Sequence, residues 1–250
     1  KPIVVDNKLA ISGKIPVMEK KSDMKKNEMN ILIRRVIVRF SLLPVLLGLF
    51  IFIPAGTFNY WQVYAYIAVI VIPMLFVLCY LLKTDPQLLE RRMRAKEKEK
   101  QQVLIQVVFS LVLLAAFIIS GLDRRFGWSE IPIQAVALAD VIIFLGYLII
   151  FFVFKQNSYA SRIVEVNAHQ KVVSTGLYAI VRHPMYVGVL AMFIPTPIAL
   201  GSYLGLIPMA TMPLVIALRI FNEEKVLCRD LLGYKEYCQK TLYRLLPFVW

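Results

Sequence analysis

The sequence predicts an all-α fold, a polytopic transmembrane helical bundle, and three observations carry that prediction. Hydrophobic residues make up 59% of the chain and charged residues only 18%, against about 45–50% and about 25% in an average globular domain. The apolar residues gather in long, nearly uncharged stretches of about 20 residues, the length that a bilayer core requires at roughly 1.5 Å per residue. The basic residues concentrate in alternate intervening segments, as membrane topology demands.

Six stretches qualify: 36–55, 60–82, 103–121, 133–154, 185–200 and 204–218. The last two are short and separated only by Gly201, Ser202 and Tyr203, so they read as a tight helical hairpin. Pro44, Pro73, Pro195, Pro197, Pro208 and Pro213 fall inside apolar runs. They are expected to be tolerated there because neighbouring helices can satisfy the carbonyls that proline frees.

With six alternating spans and a cytoplasmic N-terminus, 27 of the 29 Lys and Arg residues face one side, and only Arg124 and Arg125 face the other. The inverted arrangement puts nearly every basic residue on the wrong side. The expectation is therefore an integral, multi-pass membrane protein with both termini cytoplasmic. The net charge of +13 then faces anionic headgroups and membrane lipids, and no nucleic acid partner is expected.

Residues 1–30 are polar and are expected to form an N-terminal extension, a linker or disordered segment. Residues 31–155 hold the N-terminal transmembrane helices and a basic loop at 83–102. Within that loop, the run 91–100 alternates in charge and reads as a solvated helix skirting the membrane, with a lid over the site as the alternative. Residues 156–250 form the third region, with the helical hairpin at 185–218. Asp140 lies inside the fourth stretch. An intramembrane carboxylate is a functional candidate, but its place near the far end favours a partner on a neighbouring helix.

Cys79, Cys228 and Cys238 have no CxxC spacing and imply neither a disulfide framework nor a metal site. The two histidines, His169 and His183, lie 14 residues apart with no Cys or carboxylate at ligand spacing, so no metal is expected.

Polar chemistry collects after the fourth stretch. One cluster spans 157–186 and includes Glu165, Gln170-Lys171-Val172-Val173-Ser174-Thr175-Gly176-Leu177-Tyr178 and Arg182-His183-Pro184-Met185-Tyr186-Val187-Gly188. The other holds Arg219, Asn222, Glu223 and Glu224 and ends in Tyr243-Arg244-Leu245-Leu246-Pro247. The hairpin returns the chain to the side it left, so both clusters are expected at one membrane face. Pro184 suits a first helical turn, whose following amides can hold an anion. Gly176 permits a sharp turn or close approach. Arg219 and Glu223, at i and i+4, share a helix face.

The first cluster resembles the cofactor segment of the isoprenylcysteine carboxyl methyltransferase superfamily, especially its bacterial branch. Arg219 with Glu223-Glu224, Leu227, Gly233-Tyr234, Tyr237 and Arg244-Leu245-Leu246-Pro247 resembles that family's closing motif. The match covers about 157–250. The resemblance implies an S-adenosylmethionine site lined by Gln170, Lys171, Val172, Val173, Tyr178, His183, Pro184, Met185 and Tyr186. It also implies that Glu223 contacts the cofactor's amino group and that Arg219 faces the substrate's polar head, the two acting as the catalytic pair. Family members often carry His where Gln170 stands, and their spacing from the Glu to the following Gly differs by about one residue. The implied partner is a lipophilic small-molecule or prenylated substrate, and the implied location a bacterial inner membrane.

The residue types suit that chemistry. A sulfonium cation with a zwitterionic tail asks for a carboxylate, backbone amides and aromatic faces. Methyl transfer is an in-line displacement governed by alignment and desolvation. A carboxylate acceptor needs no general base, whereas an amine does, and His183 and Glu224 are the nearby candidates. The expected activity is therefore methyl transfer to a lipophilic acceptor, most simply a carboxylate as in isoprenylcysteine O-methylation. Phospholipid N-methylation, an NADPH-dependent sterol or lipid reductase, and a non-catalytic scaffold are the alternatives.

Overall fold

The computed structural model describes residues 15–93, 100–161, 163, 166 and 170–250. Every regular element among them is a helix: α1 (Ile15–Ala55), α2 (Trp61–Thr84), α3 (Pro86–Met93), α4 (Lys100–Phe126), α5 (Ile133–Gln156), α6 (Leu177–Ile180), α7 (Pro184–Phe193), α8 (Thr196–Ala199), α9 (Leu206–Met209), α10 (Met212–Asp230) and α11 (Tyr234–Lys240). The polytopic helical bundle is as predicted. Two units divide the chain, residues 1–43 and 44–250. The first contains most of α1, which starts at Ile15, inside the expected extension. All that follows concerns the second.

Five helical stretches are long and apolar enough to cross a membrane: Met29–Ala55, Trp61–Thr84, Lys100–Phe126, Ile133–Gln156 and Leu206–Asp230. Their outward faces are greasy. Ile72 is 67% exposed and Ile207 69%, a density of open apolar surface that only lipid accommodates. The expected sixth stretch is a shorter apolar piece, Pro184–Ala199.

Proline explains that difference. Pro44 and Pro73 sit inside continuous helices, as expected. The four later prolines break their runs. Pro195 separates α7 from α8, Pro208 lies in the four-residue α9, and Pro213 occupies the first turn of α10. A proline removes one i→i−4 donor and crowds the preceding turn, and here four fall within 19 residues. The hairpin survives as a broken ascent and an unbroken return, and the return runs past the expected boundary at 218 to Asp230.

The tip of the hairpin is anchored at the end far from the polar clusters. Tyr60 donates its hydroxyl to the Leu200 carbonyl. The buried Asp123 accepts hydrogen bonds from Ser129 (2.7 Å) and Ser202 (2.5 Å). Tyr66 and Thr196 share a hydroxyl contact of 3.3 Å between α2 and α8. Asp140 does not find the expected partner: its Oδ1 is buried with no hydrogen bond among the described residues.

The close packing of α7 on α5 sets the position of the site. A Cβ at Gly188 would stand 2.7 Å from Ile150 and 2.8 Å from the Gly146 carbonyl; one at Gly146 would stand 2.7 Å from the Gly188 carbonyl. Two facing glycines let the backbones touch, as small residues do in membrane bundles. Gly188→Ala is therefore expected to destabilise the fold by about 1–3 kcal/mol, since backbone cannot yield. A lowered thermal midpoint in detergent, larger than that of Gly48→Ala where the nearest atom is 3.6 Å away, checks this.

Candidate functional site

Both polar clusters meet at one end of the bundle. The link is partly backbone: the amides of Arg182 and His183 donate to the carbonyls of Tyr243 and Arg244, each at 2.9 Å. Glu224, 7% exposed, is the ionic centre of the same junction. Its Oε1 meets Arg182 at 3.0 Å and His183 Nε2 at 3.3 Å, and its Oε2 meets Arg244 at 2.9 Å. Arg244 is packed between the rings of Phe221 and Trp250. These contacts correct two expectations. His183 and Glu224, the candidate general bases, are committed to each other and to two arginines, and Arg244 is an internal ion-pair partner.

Around that junction lies a cleft of about 780 Å³, its mouth open to solvent. Gln170, Lys171, Val172, Val173, Tyr178, His183, Pro184, Met185, Tyr186 and Glu223 all line it. Every residue expected at the cofactor site is therefore brought to one cavity. His169 and Glu165 lie outside the described residues, as do positions 94–99 of the basic run. The cleft also takes in Asn157, Tyr159, Ser161, Leu227, Tyr234 and Tyr237. Tyr234 and Tyr237 belong to the closing motif, so their signal was present in the sequence. Asn157 and Tyr159 had none beyond their place after α5.

Local geometry fixes each group. Gly176 has φ 61°, and a Cβ there would sit 2.7 Å from the Gln156 side chain, so the turn into α6 needs glycine. The Gln156 side chain in turn accepts from the Leu177 amide at 3.0 Å. Asn157 donates to the Tyr178 hydroxyl at 2.9 Å, leaving the phenol proton for another acceptor. Burial pushes the Tyr178 phenol up to about 12, the Glu223 charge adding to it against the Asn157 bond. Burial also raises Tyr234 and Tyr237, so all three stay neutral donors at physiological pH. The Tyr237 hydroxyl donates to the Tyr178 carbonyl at 2.7 Å, which fastens α11 across the cleft.

Pro184 opens α7 with His183 at its N-cap, as expected. The anion cradle expected from the next amides is mostly closed, because Tyr186 and Val187 both donate to the His183 carbonyl (3.0 and 3.4 Å).

Arg219 and Glu223 do share a helix face, and the group that joins them is Tyr186. Its hydroxyl accepts from Arg219 Nε at 2.9 Å and donates to Glu223 Oε2 at 2.5 Å. Arg219 does not line the cleft. It lines a second cavity of about 840 Å³ with Arg92, Ile105, Gln106, Phe109, Ser110, Ile150, Val189, Val215 and Ile216. Met185 and Tyr186 line both, so one side-chain layer separates a polar, tyrosine-rich chamber from an apolar one.

Arg92 corrects the simpler reading of the basic loop. It belongs to α3, whose Leu88 and Leu89 are buried and whose start is capped by Asp85 through the Leu88 amide at 2.9 Å. From there the guanidinium reaches the Ser161 carbonyl at 3.3 Å and the Met185 sulfur at 3.6 Å, and lies over the Phe154 ring. The described part of the loop is thus built into the site.

Among the described residues no cluster of His, Cys, Asp and Glu could hold a metal ion. The family model described as phospholipid methyltransferase matches residues 134–231, the segment from α5 to the end of α10 that supplies most of both cavities. No curated protein matches the chain.

Proposed function

We propose that this integral membrane protein is an S-adenosylmethionine-dependent methyltransferase acting on an amphipathic, lipid-like acceptor. The observation that carries the reading is the pair of cavities divided by Met185 and Tyr186. The similarity of residues 134–231 to phospholipid methyltransferases supports the same reaction class.

The first cleft suits the cofactor. Tyr234 Oη is buried there without a hydrogen-bond partner, an orphaned donor of the kind that a ligand satisfies. Glu223 would hold the cofactor's amino group, and Tyr178, Tyr186, Tyr234 and Tyr237 offer aromatic faces to its positive centre. Gln170 to Val173 would supply backbone contacts, with His183, Pro184 and Met185 forming the wall. When bound, the cofactor supplies a methyl group on a sulfonium. The chain aligns the acceptor with that group and keeps water out.

The second cavity suits the acceptor. Its apolar lining would take a hydrocarbon chain and its two arginines an anionic head, with Arg219 the principal contact. The titratable groups of that lining are Arg92, Arg219 and Tyr186, none of them a ready base. A carboxylate acceptor, ionised without help, therefore fits best, and prenylated or other lipophilic carboxylates are the first substrates to test. The family description favours a second reading, a phospholipid amine whose phosphate would meet the same arginines. A reductase using NADPH is the competing class. Both termini are proposed to be cytoplasmic, and a bacterial inner membrane is the proposed setting.

Calorimetry on detergent-purified protein tests the cofactor: micromolar binding of S-adenosylmethionine supports the reading, and binding of NADPH instead overturns it. Labelled methyl transfer to lipid carboxylates and phospholipid amines, assayed side by side, separates the two acceptors. Ser110→Trp fills the second cavity from α4 and is expected to slow turnover of long-chain acceptors about tenfold. Its affinity for S-adenosylmethionine, measured by the same calorimetry, should match wild type.

A further inference from the structure

The search for disulfide spacing in the sequence finds none, yet folding brings two of the three cysteines together. Cys228 ends α10 and Cys238 lies on α11. Their thiols are in hydrogen-bonding contact, and Cys238 is also in contact with the Arg182 side chain. Both cysteines are free and partly exposed. They flank the small core of Leu231, Tyr234 and Tyr237 that closes the cleft. Cys79 is elsewhere, on α2.

We infer that Cys228 and Cys238 form a reversible intramolecular disulfide that locks α11 over the cleft. Contacting thiols on adjoining helices meet the first requirement of such a bond, because sulfurs that cannot approach to about 2 Å without backbone movement do not bridge. The loop to be closed is short. It contains Gly233 at φ 84°, the turn through which α11 joins α10. The reaction balances as thiol–disulfide exchange. Cys228 and Cys238 together lose two protons and two electrons, and a low-molecular-weight disulfide is reduced to two thiols. Such transient bonds are the form that disulfides take in reducing compartments.

The consequence follows from what α11 carries. Tyr234 and Tyr237 form one wall of the cleft, and only side-chain bonds such as Tyr237 to the Tyr178 carbonyl hold that wall in the reduced protein. A covalent tie between α10 and α11 suppresses opening of this element. It also takes the Cys238 thiol from Arg182, which belongs to the Glu224 junction. The effect on cofactor exchange rests on the methyltransferase reading. The bond itself does not.

Purified wild-type protein, Cys228→Ser and Cys238→Ser are equilibrated with graded ratios of oxidised to reduced glutathione. Peptide mapping then follows the cysteines, and amide hydrogen exchange follows residues 231–240. The proposal expects a Cys228–Cys238 cross-linked peptide that dithiothreitol removes, with exchange across α11 slowed about tenfold in wild type alone. Glutathione adducts on single cysteines without a bridge overturn the proposal, and so does a bridge that leaves exchange unchanged. Absence of S-adenosylmethionine binding in a protein that forms the bridge removes the methyltransferase reading and leaves the switch standing.

Discussion

Glu223→Gln is expected to weaken S-adenosylmethionine binding about a hundredfold while leaving the fold intact. Glutamine preserves the shape, and its carbonyl can still accept from Tyr186, so the 2.5 Å contact has a neutral replacement. What disappears is the negative charge that would meet the cofactor's ammonium group. A hydrogen bond to a charged group contributes about 1.5–3 kcal/mol, and 1.4 kcal/mol is a factor of about ten in affinity. Tyr186→Phe makes the contrasting variant. It keeps the aromatic wall but frees both Glu223 and Arg219 from their common hydroxyl. Its cofactor affinity should fall less than that of Glu223→Gln, and its turnover more than its affinity. Calorimetry and single-turnover methyl transfer on the two variants separate these effects. Equal cofactor affinity in wild type and Glu223→Gln would remove Glu223 from the site.

The sequence carries the parts of this architecture that depend on local composition. Long apolar runs specify membrane helices because the bilayer leaves the backbone no other partner, and they are found where expected. The Arg182-His183-Pro184 segment and the Arg219–Glu223 spacing are equally local, and the chain gathers the expected cofactor residues in one cleft. Pairings across more than thirty residues are not legible in this way. Nothing in the spacing says that the Tyr186 hydroxyl stands between Arg219 and Glu223. Nor does it say that Arg92 crosses from a charged loop to the Met185 sulfur. The proline breaks are a different failure. Each proline alone is tolerable in a packed helix, and Pro73 is tolerated. The number in succession decides the outcome, because neighbouring freed carbonyls compete for the same few donors.

Glu224 is the residue whose importance grows most between sequence and structure, and its removal is the most damaging change the fold predicts. Glu224→Ala leaves Arg182 and Arg244 without their shared anion inside a junction where the glutamate is 7% exposed. Breaking a buried pair by deleting one partner costs about 3–5 kcal/mol, because the remaining charge stays desolvated. That is a large part of the stability of a typical domain. The strain falls on two attachments at once: the hydrogen bonds from Arg182 and His183 to the tail carbonyls, and the packing of Arg244 between Phe221 and Trp250. The expected result is release of the C-terminal tail and collapse of the adjoining cleft. It would be read as a lowered thermal midpoint and as new protease cleavage after position 240. Glu224→Gln should lie between wild type and Glu224→Ala, since it retains an acceptor for one arginine but not the charge. The two adjacent glutamates thus separate by experiment. Glu223→Gln should lose cofactor affinity at wild-type stability, whereas Glu224→Gln should lose stability first and affinity only as a consequence. A stable Glu224→Ala protein with an ordered tail would show that the backbone bonds alone hold the junction.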